Sequence, residues 1–189
     1  MLHLKTVGKS FRLLLLALFL CLLPAMAGSA GFPEKFQAGG VSLPLRGQGI
    51  LTYALFFDVY RAGLYMSAKT PSDQVLQDVA KRLEIQYRYD ISARDIVSAA
   101  QEILARNWPS EILAAEKDKL ELINRTYVDV GPGDSYALTY LPGRGTELSL
   151  NGKEQVVIPG AQFGALMFSI WLGKEPLDVG LKDALLGND

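Results

Sequence analysis

One histidine and one cysteine, His3 and Cys21, are all that the 189 residues contain. Both lie in a segment with a pattern of its own. Lys5, Lys9 and Arg12 are basic, Leu13 to Leu23 is apolar, and Pro24-Ala-Met-Ala27 puts small residues at the −3 and −1 positions of a cleavage site. The apolar run is shorter than the roughly 20 residues a membrane span needs, so residues 1–27 read as a secretory signal peptide, cut after Ala27 or Ala30. Leu20 precedes Cys21 where a lipoprotein signal requires a small residue. The exported domain, residues 28–189, then has no thiol and no imidazole. Cys/His zinc sites, haem held by His, disulfides, Cys-His catalysis and a Ser-His-Asp triad are excluded. Acid–base chemistry falls to Tyr, Lys, Arg, carboxylates or water, and neither a metal nor a cofactor is expected.

A strong charge of either sign is also missing. The chain has 19 Lys and Arg against 20 Asp and Glu, and three basic residues but no acid fall within 1–27. The remaining net charge of −4 comes with no polybasic run, which argues against nucleic acid and against anionic membrane as partners. Membrane contact is expected only through the signal peptide. About 160 residues suffice for one domain with a core of its own. There is no internal repeat and no low-complexity linker.

The patterning that is present alternates between two periods. Strands are expected at Phe32 to Gln37 and Val41 to Arg46, broken at Gly39-Gly40, then at Ile50 to Phe57 and Val59 to Met66, which are apolar on both faces. Leu83, Ile85, Tyr87 and Tyr89 alternate with polar residues, as in a strand with one wet face. Thr70-Pro-Ser-Asp73 predicts a short helix to about Ala80, and Ser92-Ala-Arg-Asp95 caps another reaching Asn107. Ser110 to Asn124 has helical spacing, with its acids and lysines on a solvated face. Ser135 to Leu141, Thr146 to Leu150 and Glu154 to Ile158 read as strands, the last pair joined by the hairpin signal Asn151-Gly152. Ala161 to Leu172 is a nearly all-apolar helix, and Asp178 to Leu186 a last short one. This order gives an α+β fold, an antiparallel sheet with helices packed on one face.

Two stretches carry a more specific message. Gly47-Gln-Gly-Ile-Leu51 leads into Phe57-Asp-Val-Tyr-Arg-Ala-Gly-Leu-Tyr65, and Phe168-Ser-Ile-Trp-Leu-Gly173 is followed by Pro176-Leu-Asp178. Together they resemble the chalcone isomerase-like family, in its bacterial exported branch, over about residues 40 to 187. The resemblance implies an open-faced β-sandwich, a large antiparallel sheet under a layer of helices, with a ligand cleft between the two. It also implies site positions. The arginine that binds substrate in the plant enzyme corresponds here to Leu51, a helpful threonine to Tyr60, and a late-helix Ser or Thr to Ile170. Arg94 is the counterpart of a tyrosine near the first long helix, with Ser98 to Glu102 covering a neighbouring asparagine. A second branch binds fatty acids through the same arginine and a nearby tyrosine. Arg46 and Arg61 are the replacements nearest in sequence, and Arg61 shares a strand face with Tyr65.

Hydrocarbon at Leu51 and Ile170 removes donors aimed at developing charge, each worth roughly 2.7–4 kcal/mol of transition-state stabilisation. The expected protein is therefore a non-catalytic, periplasmic binder of a small apolar or acyl ligand, with Leu51, Tyr60, Arg61, Tyr65, Arg94 and Ile170 as ligand-binding candidates. The alternatives are an isomerase of the intramolecular lyase type, closing an enone with Tyr60 and a water, and an envelope module that is structural or binds a partner.

Overall fold

The computed structural model describes residues 31–53 and 57–188. The segment read as a signal peptide, with His3 and Cys21, lies outside the described residues. Seven strands form one antiparallel meander in chain order: β1 (Lys35–Ala38), β2 (Val41–Tyr53), β3 (Phe57–Met66), β4 (Lys81–Tyr87), β5 (Ser135–Leu141), β6 (Gly145–Leu150) and β7 (Lys153–Ile158). Five helices complete it: α1 (Ala93–Asn107), α2 (Ser110–Ala115), α3 (Lys117–Thr126), α4 (Ala161–Leu172) and α5 (Val179–Leu186). The class is α+β, an antiparallel sheet with helices over one face.

Several boundaries follow the sequence signals closely. Ser92 caps α1, its hydroxyl accepting from the Asp95 amide at 3.1 Å. Asp178 caps α5 by accepting from Leu181 N at 2.6 Å. Asn151 and Gly152 both adopt positive φ, 51° and 76°, the geometry of a two-residue hairpin turn. Two expectations change. The helix expected from Thr70 to Ala80 is a single 3-10 turn at Ser72–Gln74. The Thr70 carbonyl is taken instead by Arg46 Nη1 at 2.7 Å, and Val75 is buried. The helix expected over Ser110 to Asn124 breaks at Glu116, whose φ of −101° separates α2 from α3.

The second strand is one long element where two were expected, and it changes face midway. Leu45 pairs with Tyr65 but Gly47 pairs with Leu64, so Arg46 is an extra residue in the ladder. Such a bulge reverses the inside–outside alternation. Leu43 and Leu45 therefore pack with Phe32, Phe36 and Tyr65 in a small cluster on one face. Gly47, Gly49 and Leu51 turn to the other face, under α5. A second bulge lies across from Leu51 and Thr52, which pair with Tyr60 and Asp58 and leave Val59 unpaired.

The main core lies between the sheet and the helices. It gathers Leu83, Ile85 and Tyr87 of β4, alternate residues of β5, and the buried faces of α1, α4 and α5. Helix α4 is buried along nearly its whole length, as its composition requires. Close approach is set by glycines. A Cβ at Gly164 would stand 2.7 Å from the Tyr140 ring, and one at Gly47 would stand 2.2 Å from the Ala184 carbonyl oxygen. The second contact is with backbone, which cannot swing aside. Gly47→Ala should therefore lower stability by about 1–3 kcal/mol, the usual cost of overpacking. Chemical denaturation checks this, with Gly180→Ala as the control, since its Cβ would meet nothing nearer than 3.4 Å.

Candidate functional site

A cavity of about 560 Å³ opens between the sheet and the helical layer. The sheet supplies Leu51 and Thr52 from β2, Val59 and Tyr60 from β3, and Ile85 and Tyr87 from β4. Neighbouring residues of β2 and β3 both reach this wall because the bulge at Val59 interrupts the alternation. Helix α1 adds Asp95, Ile96, Ala99, Ala100 and Ile103, and α4 adds Ile170 and Trp171. Ile91, Tyr127, Leu177 and Asp178 complete the lining. Most of this surface is hydrocarbon.

One hydrogen bond fixes the back wall. Trp171 Nε1 donates to the Tyr60 hydroxyl at 2.9 Å, joining α4 to β3 with both groups buried. Burial pushes the Tyr60 phenol well above its ordinary pKa of 10.0; the bond from Trp171 opposes this and Asp178 adds to it. Tyr87 is raised mainly by burial, then by Tyr127, Tyr60 and Tyr136, and Tyr127 is raised by burial and then by Tyr136. The rings pack edge to face, Tyr60 on Tyr87 at 5.9 Å and Tyr87 on Tyr136 at 6.3 Å. The floor of the loop beneath Trp171 is pinned by Asn107, which donates to the Glu175 carbonyl at 2.7 Å and accepts from its amide at 2.9 Å. A Cβ at Gly173 would stand 2.5 Å from Asn107 Oδ1, so only glycine fits there.

Of the six residues put forward from sequence, the structure brings Leu51, Tyr60 and Ile170 together in the cavity wall. Arg61 and Tyr65 share a face, and it is the opposite face of the sheet. Arg61 Nη2 donates to Gln86 Oε1 at 3.0 Å, and its guanidinium stands 5.8 Å from the Phe32 ring. Tyr65 is fully buried with Phe32, Leu43 and Phe36. The parity of β3 explains this, since Tyr60 is even and the other two are odd. Arg94 is exposed on α1 and does not line the cavity. Arg46 is held elsewhere too, by Thr70, Ser72 and the Leu186 carbonyl. Among the described residues lining the cavity there is no Lys or Arg, and the charged ones are Asp95 and Asp178.

Sequence reasoning did not single out Tyr87, Tyr127, Trp171, Asp95 or Asp178 as lining residues. The alternation of β4 already put Tyr87 on the buried face, and Trp171 lies in a quoted motif. Tyr127 follows the end of α3 with no pattern to mark it. Asp95 and Asp178 were legible only as caps.

A family model described as chalcone isomerase-like matches residues 24–187, and the chain belongs to that family. By structure it is similar to a fatty-acid binding protein of Arabidopsis thaliana, with a TM-score of 0.65 and 16% identity over 83% of this chain and 91% of the other. That likeness establishes a shared fold. None of the curated proteins matches the chain by sequence.

Tyr60→Phe leaves the buried Trp171 N–H without an acceptor and should cost about 1–3 kcal/mol. A double-mutant cycle with Trp171→Phe checks the pair: the combined loss should be smaller than the sum of the single losses. The raised phenols give a pH dependence of definite sign. Their folded pKa lies above the unfolded value of 10.0, so their contribution to stability is complete below pH 10.0 and is lost as pH rises beyond it. Denaturation curves in alkali, with tyrosinate absorbance followed alongside, measure this; phenols that ionise freely at pH 10.0 in the folded protein contradict it.

Proposed function

We propose that this family member is a non-catalytic binding protein that holds a small, largely apolar molecule between its sheet and its helices. One observation carries the reading: the cavity of about 560 Å³ is walled mainly by hydrocarbon, with Leu51 and Ile170 where the resemblance assigns polar groups to the enzyme. The volume falls in the range of about 300–1,000 Å³ usual for small-molecule sites. A large apolar hollow is unfavourable to leave empty and unfavourable to fill with water, so an apolar guest is its natural occupant. The Arabidopsis thaliana protein of the same fold is described as fatty-acid binding, which supports a binding role in this architecture.

Catalysis of the isomerase type needs a cation or strong donor where enolate charge develops. Tyr60 offers a hydroxyl, but no Lys or Arg stands beside it among the described lining residues. A purely structural role would give no reason for an open hollow of this size. The reading includes export: the charge and apolar pattern of residues 1–27 supports a periplasmic protein of bacterial type.

Trp171 reports occupancy because it lines the cavity. Titrating an alkyl ligand panel into the purified protein should change Trp fluorescence, and native mass spectrometry should find co-purified ligand. Ala100→Phe, which fills the cavity from α1, should abolish the fluorescence response while leaving the protein folded. Loss of a chalcone added to the protein should be no faster than in buffer. Absence of binding across the panel overturns the binding reading, and accelerated chalcone conversion overturns the non-catalytic one.

A further inference from the structure

The polar groups in the cavity wall are as selective as its hydrocarbon. Three phenols stand there, and each is almost entirely buried: Tyr60 is 6%, Tyr87 7% and Tyr127 9% exposed. Tyr60 accepts from Trp171, which leaves its own O–H proton to donate. The hydroxyls of Tyr87 and Tyr127 form no hydrogen bond among the described residues. Buried hydroxyls are normally paired, and leaving one unpaired is costly. Three such groups around one hollow are partners for an oxygen atom that the protein itself does not provide. Burial keeps all three neutral, so they donate hydrogen bonds without bringing charge.

The charged groups say what that oxygen is not. Asp95 and Asp178 are the charged residues among the described lining, and both are negative. Each already serves a helix N-terminus, the place where an incoming carboxylate would otherwise be welcomed. Asp95 Oδ2 accepts from the Ser92 hydroxyl at 2.7 Å at the start of α1, and Asp178 Oδ1 accepts from Leu181 N at the start of α5. A ligand carboxylate would therefore lose its hydration in an apolar hollow, meet no cation among the described lining residues, and face two like charges.

We propose that the cavity takes a neutral lipophile carrying a carbonyl or hydroxyl oxygen, held by Tyr60, Tyr87 and Tyr127, and that it discriminates against carboxylates. This rests on the binding reading above and narrows it to a ligand class. The anchor is a set of neutral donors, and the specificity comes from negative charge placed where a fatty acid would need positive charge.

Three ligands of equal chain length separate the possibilities: dodecane, dodecanol and dodecanoate, compared at neutral pH by competition for the Trp171 fluorescence response. Dodecanol should bind about tenfold more tightly than dodecane, the worth of one good neutral hydrogen bond, and more tightly than dodecanoate by at least that factor. The variant Tyr87→Phe with Tyr127→Phe should lose the preference for dodecanol over dodecane while keeping its affinity for dodecane. Asp95→Asn with Asp178→Asn, which keeps side-chain acceptors at both helix starts, should narrow the gap between dodecanol and dodecanoate. Dodecanoate binding as tightly as dodecanol overturns the proposal, and so does a double Phe variant with unchanged preference. If dodecane and dodecanol bind equally, the binding reading stands and this proposal fails. If none of the three binds, both fall together.

Discussion

The contact between α5 and the second strand is the constraint on which the rest of the molecule depends. Helix backbone lies directly on strand backbone at Gly47, with no space for a side chain between them. That proximity brings Leu181 and Leu185 into the core and places Asp178 and Leu177 at the cavity. The segment joining α4 to α5 is held by Asn107 and by Lys182 Nζ, which donates to the Gly173 carbonyl at 2.7 Å. Trp171 is thereby fixed at the end of α4, where it reaches Tyr60. The two motif stretches, more than a hundred residues apart in sequence, are thus one physical unit.

Most of the architecture was legible because local signals and global packing agreed. The Asn151-Gly152 turn, the caps at Ser92 and Asp178 and the apolar α4 each have one structural solution, and the fold uses it. The misreadings had a common cause in tertiary competition. Thr70 looked like a helix start until its carbonyl was needed by Arg46, and Glu116 interrupted a helical pattern that periodicity alone would have carried through. The site was legible only in part. Leu51, Tyr60 and Ile170 could be placed by pattern, whereas Arg61 and Tyr65 shared a strand with Tyr60 but not its face. Tyr127 comes from a segment without periodicity, and its position depends on where the chain returns after α3.

The wall of the cavity explains how one architecture can serve binding without chemistry. Reaction at a carbonyl or enone needs a preorganised charge at the point where electron density accumulates. Here that region is lined with hydrocarbon and neutral phenols, and the arginines are engaged elsewhere: Arg46 in tying the sheet to the loop after β3, Arg61 on the far face with Gln86. Arg82 is buried on that face as well, stacked 3.9 Å from the Phe36 ring and donating to Thr139 at 2.8 Å. The cations of this domain serve the scaffold.

The extra residue at Arg46 has a practical meaning for anyone altering the protein. A bulge acts as a phase shift in the code that relates sequence parity to environment. A mutant library that varies odd-numbered positions along β2 would sample two unrelated surroundings: a small aromatic cluster before residue 46, and the floor beneath a helix after it. Tolerance profiles on the two sides should look as though they came from different strands, and a recombination breakpoint placed there would splice two independent design problems.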